Sequence, residues 1–543
     1  MGLRIRRGAR RGRAPRSRSE LAGLVVALYA AVGAAVTWPA LRHARSDFLA
    51  LVEPGHGEAA AGDHLQVTYQ LWLVGHRLAD AATPWIDPYS FQPVADGVTV
   101  FQGWLFGLPL WPVFAAAGPV AAWNVFVLGS YALAGGLAYG WLRSVGMPPA
   151  AALAGGLVFA IFPYRVAQST GHLLGPLSAL LPGMLWALER RRFLVAGAAL
   201  VAIPLSGQLH LALGAIPLFG AYALVRTRES RALVATAAVV AAAVAAGLAV
   251  KDVAVEGSIA GAGRSLRAVS FFSPDWQDFA YRELRHPPPI APEYALFLGR
   301  VTPLLAVIGL VILTRRREYA FAALLALAVA VPVWLALGTK VPTYEWLWRH
   351  VDPFHYPRVP ERLMPIAGLA IAALVAVAVG RRPRPIVAAI VLVVLFFDLR
   401  LPVYGAAAAD PDNGAYAALA DARPGRVLEL PLFRPERHWG GVYLYYGMQA
   451  PRERIGGYST TAPPAAALVM DRLRPLQCGI WGEPREALLR RLGVRYVVVH
   501  GGLYRASPLV PPACRARADR GLRRHGWRAV ARDGPVALYS APR

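Results

Sequence analysis

Long apolar runs recur between Leu21 and Leu399, many of them closed by a cluster of arginines, and this alternation constrains the chain more than any other feature. A helix needs about 20 apolar residues to cross a bilayer core of roughly 30 Å. The 543 residues are 56% hydrophobic and only 16% charged, which argues against an ordinary soluble domain. A formal charge of +25 would suit a nucleic-acid partner. Here the arginines cluster where apolar runs end, the pattern of cytoplasmic loops. Membrane orientation accounts for the charge, and nucleic-acid binding is disfavoured.

The segmentation predicts a mostly α, polytopic transmembrane bundle of about 11 spans, with an inward N-terminus and an outward C-terminus. A basic cytoplasmic tail (1–20, with Arg4 to Arg18) precedes Leu21–Leu41, which reads as a retained signal anchor because its apolar core is too long for a cleaved signal. The transmembrane region runs over 21–405, with external loops at about 42–119, 163–173, 251–293 and 338–362. Within the first loop a helix is expected around Leu65–Leu78. Trp104–Ala117 is short and interrupted by Pro109 and Pro112, so it is expected to lie in the interface or re-enter. Leu174–Leu188 and Tyr294–Leu313 are each expected to cross. From 406 to 543 the composition changes to that of a small extracytoplasmic α/β domain. RVLELPL and VRYVVVH are its strands, and Ala465–Leu473 and Glu486–Leu492 its helices. Cys478 and Cys514 both fall there, as a permitted disulfide or as two free thiols.

Ionisable groups kept beside a membrane tend to line a pathway or site. The first loop has Asp63 and His64, then Asp87, whose place before Pro88 suits a turn. The second has Tyr164, Arg165, Gln168 and His172. The third has Arg264, Arg267, Asp275, Asp278 and Glu293, the last at a helix start that favours an acid on structural grounds alone. The fourth has Glu345, His350, Asp352, His355, Tyr356, Arg358 and Arg362. Asp63, between Gly62 and His64 and ahead of an amphipathic helix, is placed to act as a base at the membrane surface. No phosphate loop, paired CxxC or HExxH occurs, and GGYST around Tyr458 lacks the context of a nucleophile elbow.

The layout resembles the GT-C superfamily of integral membrane glycosyltransferases, which use polyprenyl-phosphate-linked sugars. The likeness is carried by GDHLQ in the first external loop, FPYR…GH in the second, the ERRR closure, PRVPER in the late loop and a terminal soluble domain. With RVLELP and LGVRYVVVH the chain also resembles bacterial members grouped with the YfhO-like membrane proteins. The resemblance implies inverting transfer at the outer face of the bacterial inner membrane. Asp63 would be the general base, with Arg358 and Arg362, then Arg165, stabilising the departing lipid phosphate. His64, Tyr164, His172 and His355 are further substrate-binding candidates. The acceptor would be a saccharide, a glycolipid or a protein. Many relatives bind a divalent metal through paired acids; His64 and Leu65 follow Asp63 here, so no such motif is present, and a divalent metal held by Asp63, His64 and a second-loop ligand is the alternative expectation. A transporter or flippase of lipid-linked saccharides, or a non-catalytic envelope assembly protein, are the alternative expectations.

Overall fold

A computed structural model of the chain describes residues 18–227, 229–288, 290–380 and 385–542. The arginine-rich tail before Arg18, together with Arg228, Arg381, Arg382 and Arg384, lies outside the described residues.

Among the described residues six helices are long and apolar enough to cross a membrane: Ser19–Thr37, Trp104–Ser144, Leu209–Arg226, Ser230–Val255, Tyr319–Ala336 and Pro360–Val379. Pro149–Ala160, Phe193–Leu205, Val301–Arg315 and Pro385–Leu399 are shorter apolar helices. Met364–Val379 is the axis of the bundle. Every residue from Met364 to Val377 is buried, and the helix packs against Pro149–Ala160, Val301–Arg315 and Tyr319–Ala336. Small residues permit this closeness: a Cβ on Gly309 would meet the carbonyl oxygen of Leu374 at 2.0 Å. At the periphery Leu21, Leu24 and Val26, and likewise Ile386, Ile390 and Val393, present exposed aliphatic faces suited to lipid.

Trp104–Ala117 is helical and continues into the next apolar run, the two forming one 41-residue element that turns at Gly118. Gly118 adopts φ 76°, a conformation that glycine reaches without a steric cost, and Pro119 follows it. Two expected spans are altered. Leu174–Leu188 divides into Leu174–Leu177 and Leu180–Glu189. The helix expected from Tyr294 begins only at Val301, because Asp398 of another helix accepts the backbone N–H groups of Arg300, Val301 and Thr302 at 2.7–3.1 Å and so fixes its first turn.

The soluble part carries a four-stranded sheet in the order Arg426–Leu430, Val494–His500, Val536–Ser540, Arg528–Asp533. Its first pair is parallel and the other two are antiparallel. Cys478 and Cys514 are joined in a disulfide. Three contacts fasten this domain to the first loop. Asp47–Ala50 pairs antiparallel with Gly405–Ala408. The helix Gly441–Gln449 packs on Asp63–Ala79. Glu58 bonds Nδ1 of His500 at 2.7 Å, both side chains fully buried.

The helix Leu209–Arg226, about 27 Å long for its 18 residues, separates two polar ends. At its C-terminus Arg226 pairs with Glu189 at 2.7 Å, and Arg191 pairs with Glu229 nearby. At its N-terminus His210 lies within the electrostatic reach of Arg362, Arg358 and Arg264.

Candidate active site

Asp63 opens the helix Asp63–Ala79 directly after Gly62, where the unpaired N–H groups of a first turn favour negative charge. Both of its carboxylate oxygens are engaged. Oδ2 accepts from Nε2 of His172 at 2.7 Å, and Oδ1 accepts from the hydroxyl of Tyr458 at 2.5 Å. A carboxylate only accepts, so the hydrogen shared with His172 sits on Nε2. Burial opposes ionisation of Asp63, but the bond to His172 and its charge, with His438 and Tyr458, outweigh it and hold the carboxyl well below the usual range. The pair keeps an opening, with Asp63 21% and His172 17% exposed.

His172 connects this acid to a second one. Its Nδ1 stands 3.9 Å from Oε1 of Glu293. Glu293 is buried in the turn Ala291–Tyr294 and surrounded by donors. Its Oε2 accepts from Tyr164 at 2.9 Å and Gln168 at 2.7 Å, and its Oε1 accepts from Arg362 at 2.6 Å. Burial raises its pKa, yet the Arg362 guanidinium and then His172 bring it down to about 2. Arg362 is therefore committed to a carboxylate.

Arg358 and Arg264 are not. Among the described residues neither guanidinium forms an ion pair. Arg358 lies over the Phe272 ring at 5.2 Å. Arg264 is fixed through its backbone, its N–H donating to His355 O at 2.7 Å and its carbonyl accepting from Trp348 Nε1 at 3.0 Å. Burial and then the neighbouring charge of Arg358 lower the pKa of Arg264. The charges of Arg358 and Arg362 also reach Tyr458. This end of the bundle thus holds an ionised acid, a histidine and two guanidinium groups outside any ion pair, with Glu436 the acid whose charge reaches Arg264.

The structure brings Asp63, His172, Tyr164, Arg358 and Arg362 to this end of the bundle and turns other expected residues away from Asp63. The His64 ring is buried between Phe48 and Trp123 with neither nitrogen bonded, and burial pushes it down to about 3 against the pull of Asp63. Arg165 is fully buried and donates to the carbonyls of Ala160 and Ser130, both at 2.7 Å. The His355 ring packs edge-on against Trp348, so its contribution near Arg264 is its backbone carbonyl. Asp87 forms the expected turn, accepting from Tyr69, Tyr89 N and Ser90. Tyr458 and His438 are additions that sequence reading missed, because nothing in GGYST or RHWGG announces a partner some 400 positions earlier. Arg264 was visible as a loop cation, but not as one outside any ion pair and beside Arg358. Among the described residues no group of three or more His, Cys, Asp and Glu side chains is arranged to hold a metal.

The apolar bundle thus carries an acid at one end, and the C-terminal domain closes over it through Tyr458. No family model matches the chain, and no characterised sequence matches it. Among solved structures the chain is similar to the arabinofuranosyltransferase AftD from Mycobacteria, with TM-score 0.59 and 17% identity over 98% of this chain and 40% of AftD. A mutant AftD structure gives TM-score 0.53 and 16% identity over 98% of this chain and 42% of AftD. The oligosaccharyltransferase of Archaeoglobus fulgidus aligns at TM-score 0.48 and 13% identity over 97% of this chain and 74% of its own. The chain thus spans well under half the length of AftD, and the likeness is one of fold.

Proposed function

We propose that the protein is a membrane glycosyltransferase that moves a sugar from a polyprenyl-phosphate donor to an acceptor hydroxyl with inversion. The observation that carries this reading is the pairing of ionised Asp63 with His172 at the end of the bundle that also holds Arg358 and Arg264, neither in an ion pair among the described residues. Asp63 takes the proton of the acceptor hydroxyl as its oxygen bonds to the anomeric carbon. The bond from that carbon to the phosphate oxygen breaks, and its electron pair leaves with the lipid phosphate. Preorganised cations are most effective where such charge develops, and guanidinium matches phosphate geometry. Arg358 and Arg264 suit that role, whereas Arg362 is paired with Glu293, whose carboxylate stands 3.9 Å from His172. Tyr164 belongs to the same support.

The cysteine bridge supports an oxidising, extracytoplasmic setting for the soluble domain. The arginine-rich loops at the far end of the bundle support the opposite face as cytoplasmic, in keeping with a bacterial inner membrane. The finer resemblance to YfhO-like proteins rests on RVLELP and LGVRYVVVH alone. AftD makes an arabinofuranosyl donor the first to test. Purified protein in liposomes should transfer the sugar of a polyprenyl-phosphate donor to a glycoside acceptor, and Asp63→Asn should abolish this while the protein stays folded. Saccharide translocation without a new glycosidic bond would sink the transferase reading in favour of a transporter.

A further inference from the structure

The soluble domain places one atom directly on the proposed base. Tyr458 donates its hydroxyl to Asp63 Oδ1, and its own backbone carbonyl is held by Gln66 Nε2 at 2.9 Å. Gln66 stands on the same helix as Asp63, so the phenol and the acid are referenced to one rigid element. The other oxygen, Oδ2, is taken by His172, which is itself fixed by its backbone bond to Gln168 O at 2.9 Å and faces Glu293. An acceptor hydroxyl must hydrogen-bond a carboxylate oxygen before giving up its proton, and Oδ1 is the oxygen whose partner comes from a separate domain. Tyr458 presents there what an acceptor would present, a hydroxyl on carbon. Burial and the adjacent charge of Asp63 keep the phenol protonated, so it fills the place without reacting.

We propose that Tyr458 is a specificity-determining residue that occupies the acceptor-hydroxyl position on Asp63, excludes water from it, and yields only to an acceptor large enough to displace the ring. The inference rests on the transferase reading above. Its consequence is that the donor survives while no acceptor is present. If water reached Oδ1, Asp63 would take one of its protons, the water oxygen would bond to the anomeric carbon, and free sugar and lipid phosphate would result. Phenylalanine at 458 keeps the ring and removes the hydroxyl, which leaves Oδ1 open to water.

The experiment follows free-sugar release from a panel of synthetic farnesyl-phosphate pentoses and hexoses, arabinofuranose first, by the full-length protein in liposomes without acceptor. Tyr458→Phe should raise release about fivefold or more over wild type, as expected for one lost hydrogen bond. Adding Asp63→Asn to it should return release to the protein-free rate. Gln66→Ala, which loosens the Tyr458 backbone but leaves the phenol, should raise release by a smaller factor, and it decides the matter if Tyr458→Phe fails to fold. Release that is equal to or below wild type in these variants, while remaining dependent on Asp63, overturns the proposal and makes Tyr458 a positioning residue only. No release from any variant, while the wild type transfers sugar to an added glycoside acceptor, also overturns the proposal; release that ignores Asp63, or neither release nor transfer from any donor, overturns the transferase reading itself.

Discussion

Two clusters of the same composition lie five positions apart in the first loop. Glu58 bonds His500, whose Nε2 meets the hydroxyl of Tyr416 at 3.0 Å; Asp63 bonds His172 and Tyr458. Each is an acid, a histidine and a tyrosine, and each joins the first loop to a distant part of the chain. The difference is in what surrounds them. Glu58 and His500 are fully buried, and the second oxygen of Glu58 accepts from Leu503 N at 2.7 Å, so nothing can enter. Asp63 and His172 are partly open, and the charge of Arg358, which has no ion-pair partner among the described residues, reaches the Tyr458 that bonds Asp63. Residue types alone do not make a site; access and a nearby cation outside any ion pair separate the joint from the candidate centre.

The largest expected effect tests that separation directly. Asp63→Asn should lower sugar transfer about a thousandfold, roughly 4 kcal/mol in activation free energy, with little change in the unfolding midpoint. Glu58→Ala should do the reverse. Removing one partner of a sealed pair should cost about 3 kcal/mol of stability, seen by thermal unfolding in detergent, while transfer per folded molecule changes far less than in Asp63→Asn. A Glu58→Ala protein that is stable but inactive would erase the distinction.

Acid should sharpen it. The folded pKa of Glu293, about 2, lies below its ordinary 4.5, so the folded state favours the ionised form. The resulting stability is fully present above pH 4.5 and is lost as pH falls through 2. About 3 kcal/mol should disappear over that window, and Glu293→Gln should flatten the profile of unfolding midpoint against pH. The smallest effect concerns the cations. Arg264→Ala and Arg358→Ala should each cost about 2 kcal/mol, near thirtyfold in kcat/KM for the lipid donor, whereas Arg191→Ala, in an exposed pair at the other end, should cost almost nothing.

Most of the bundle was legible because apolar length and arginine punctuation are local signals. The helices Asp63–Ala79, Tyr319–Ala336 and Pro385–Leu399 lie within a few residues of their expected limits. The start of Val301–Arg315 was not legible, because Asp398 sets it from nearly 100 positions away. The strand Arg528–Asp533 was also missed: it is a mostly exposed edge strand rich in charge, without the apolar alternation that reveals a half-buried one. In the site, loop acids and cations could be gathered by sidedness, which assembles Asp63, His172 and Arg358 but also collects His64 and Arg165. Which way a side chain turns, and which arginine already has an acid, are settled by packing. Tyr458 belongs wholly to that second kind of information.

The ladder between Asp47–Ala50 and Gly405–Ala408 has a consequence for biogenesis. It ties a segment made early in translation to one made after all the apolar helices of the described residues, a closure of very long sequence separation. The bundle can therefore insert helix by helix with its clasp undone, and Asp63 meets its phenolic partner only once synthesis has passed residue 458. Until then Asp63 Oδ1 has no phenol upon it, and the terminal domain is the part that completes this end of the bundle.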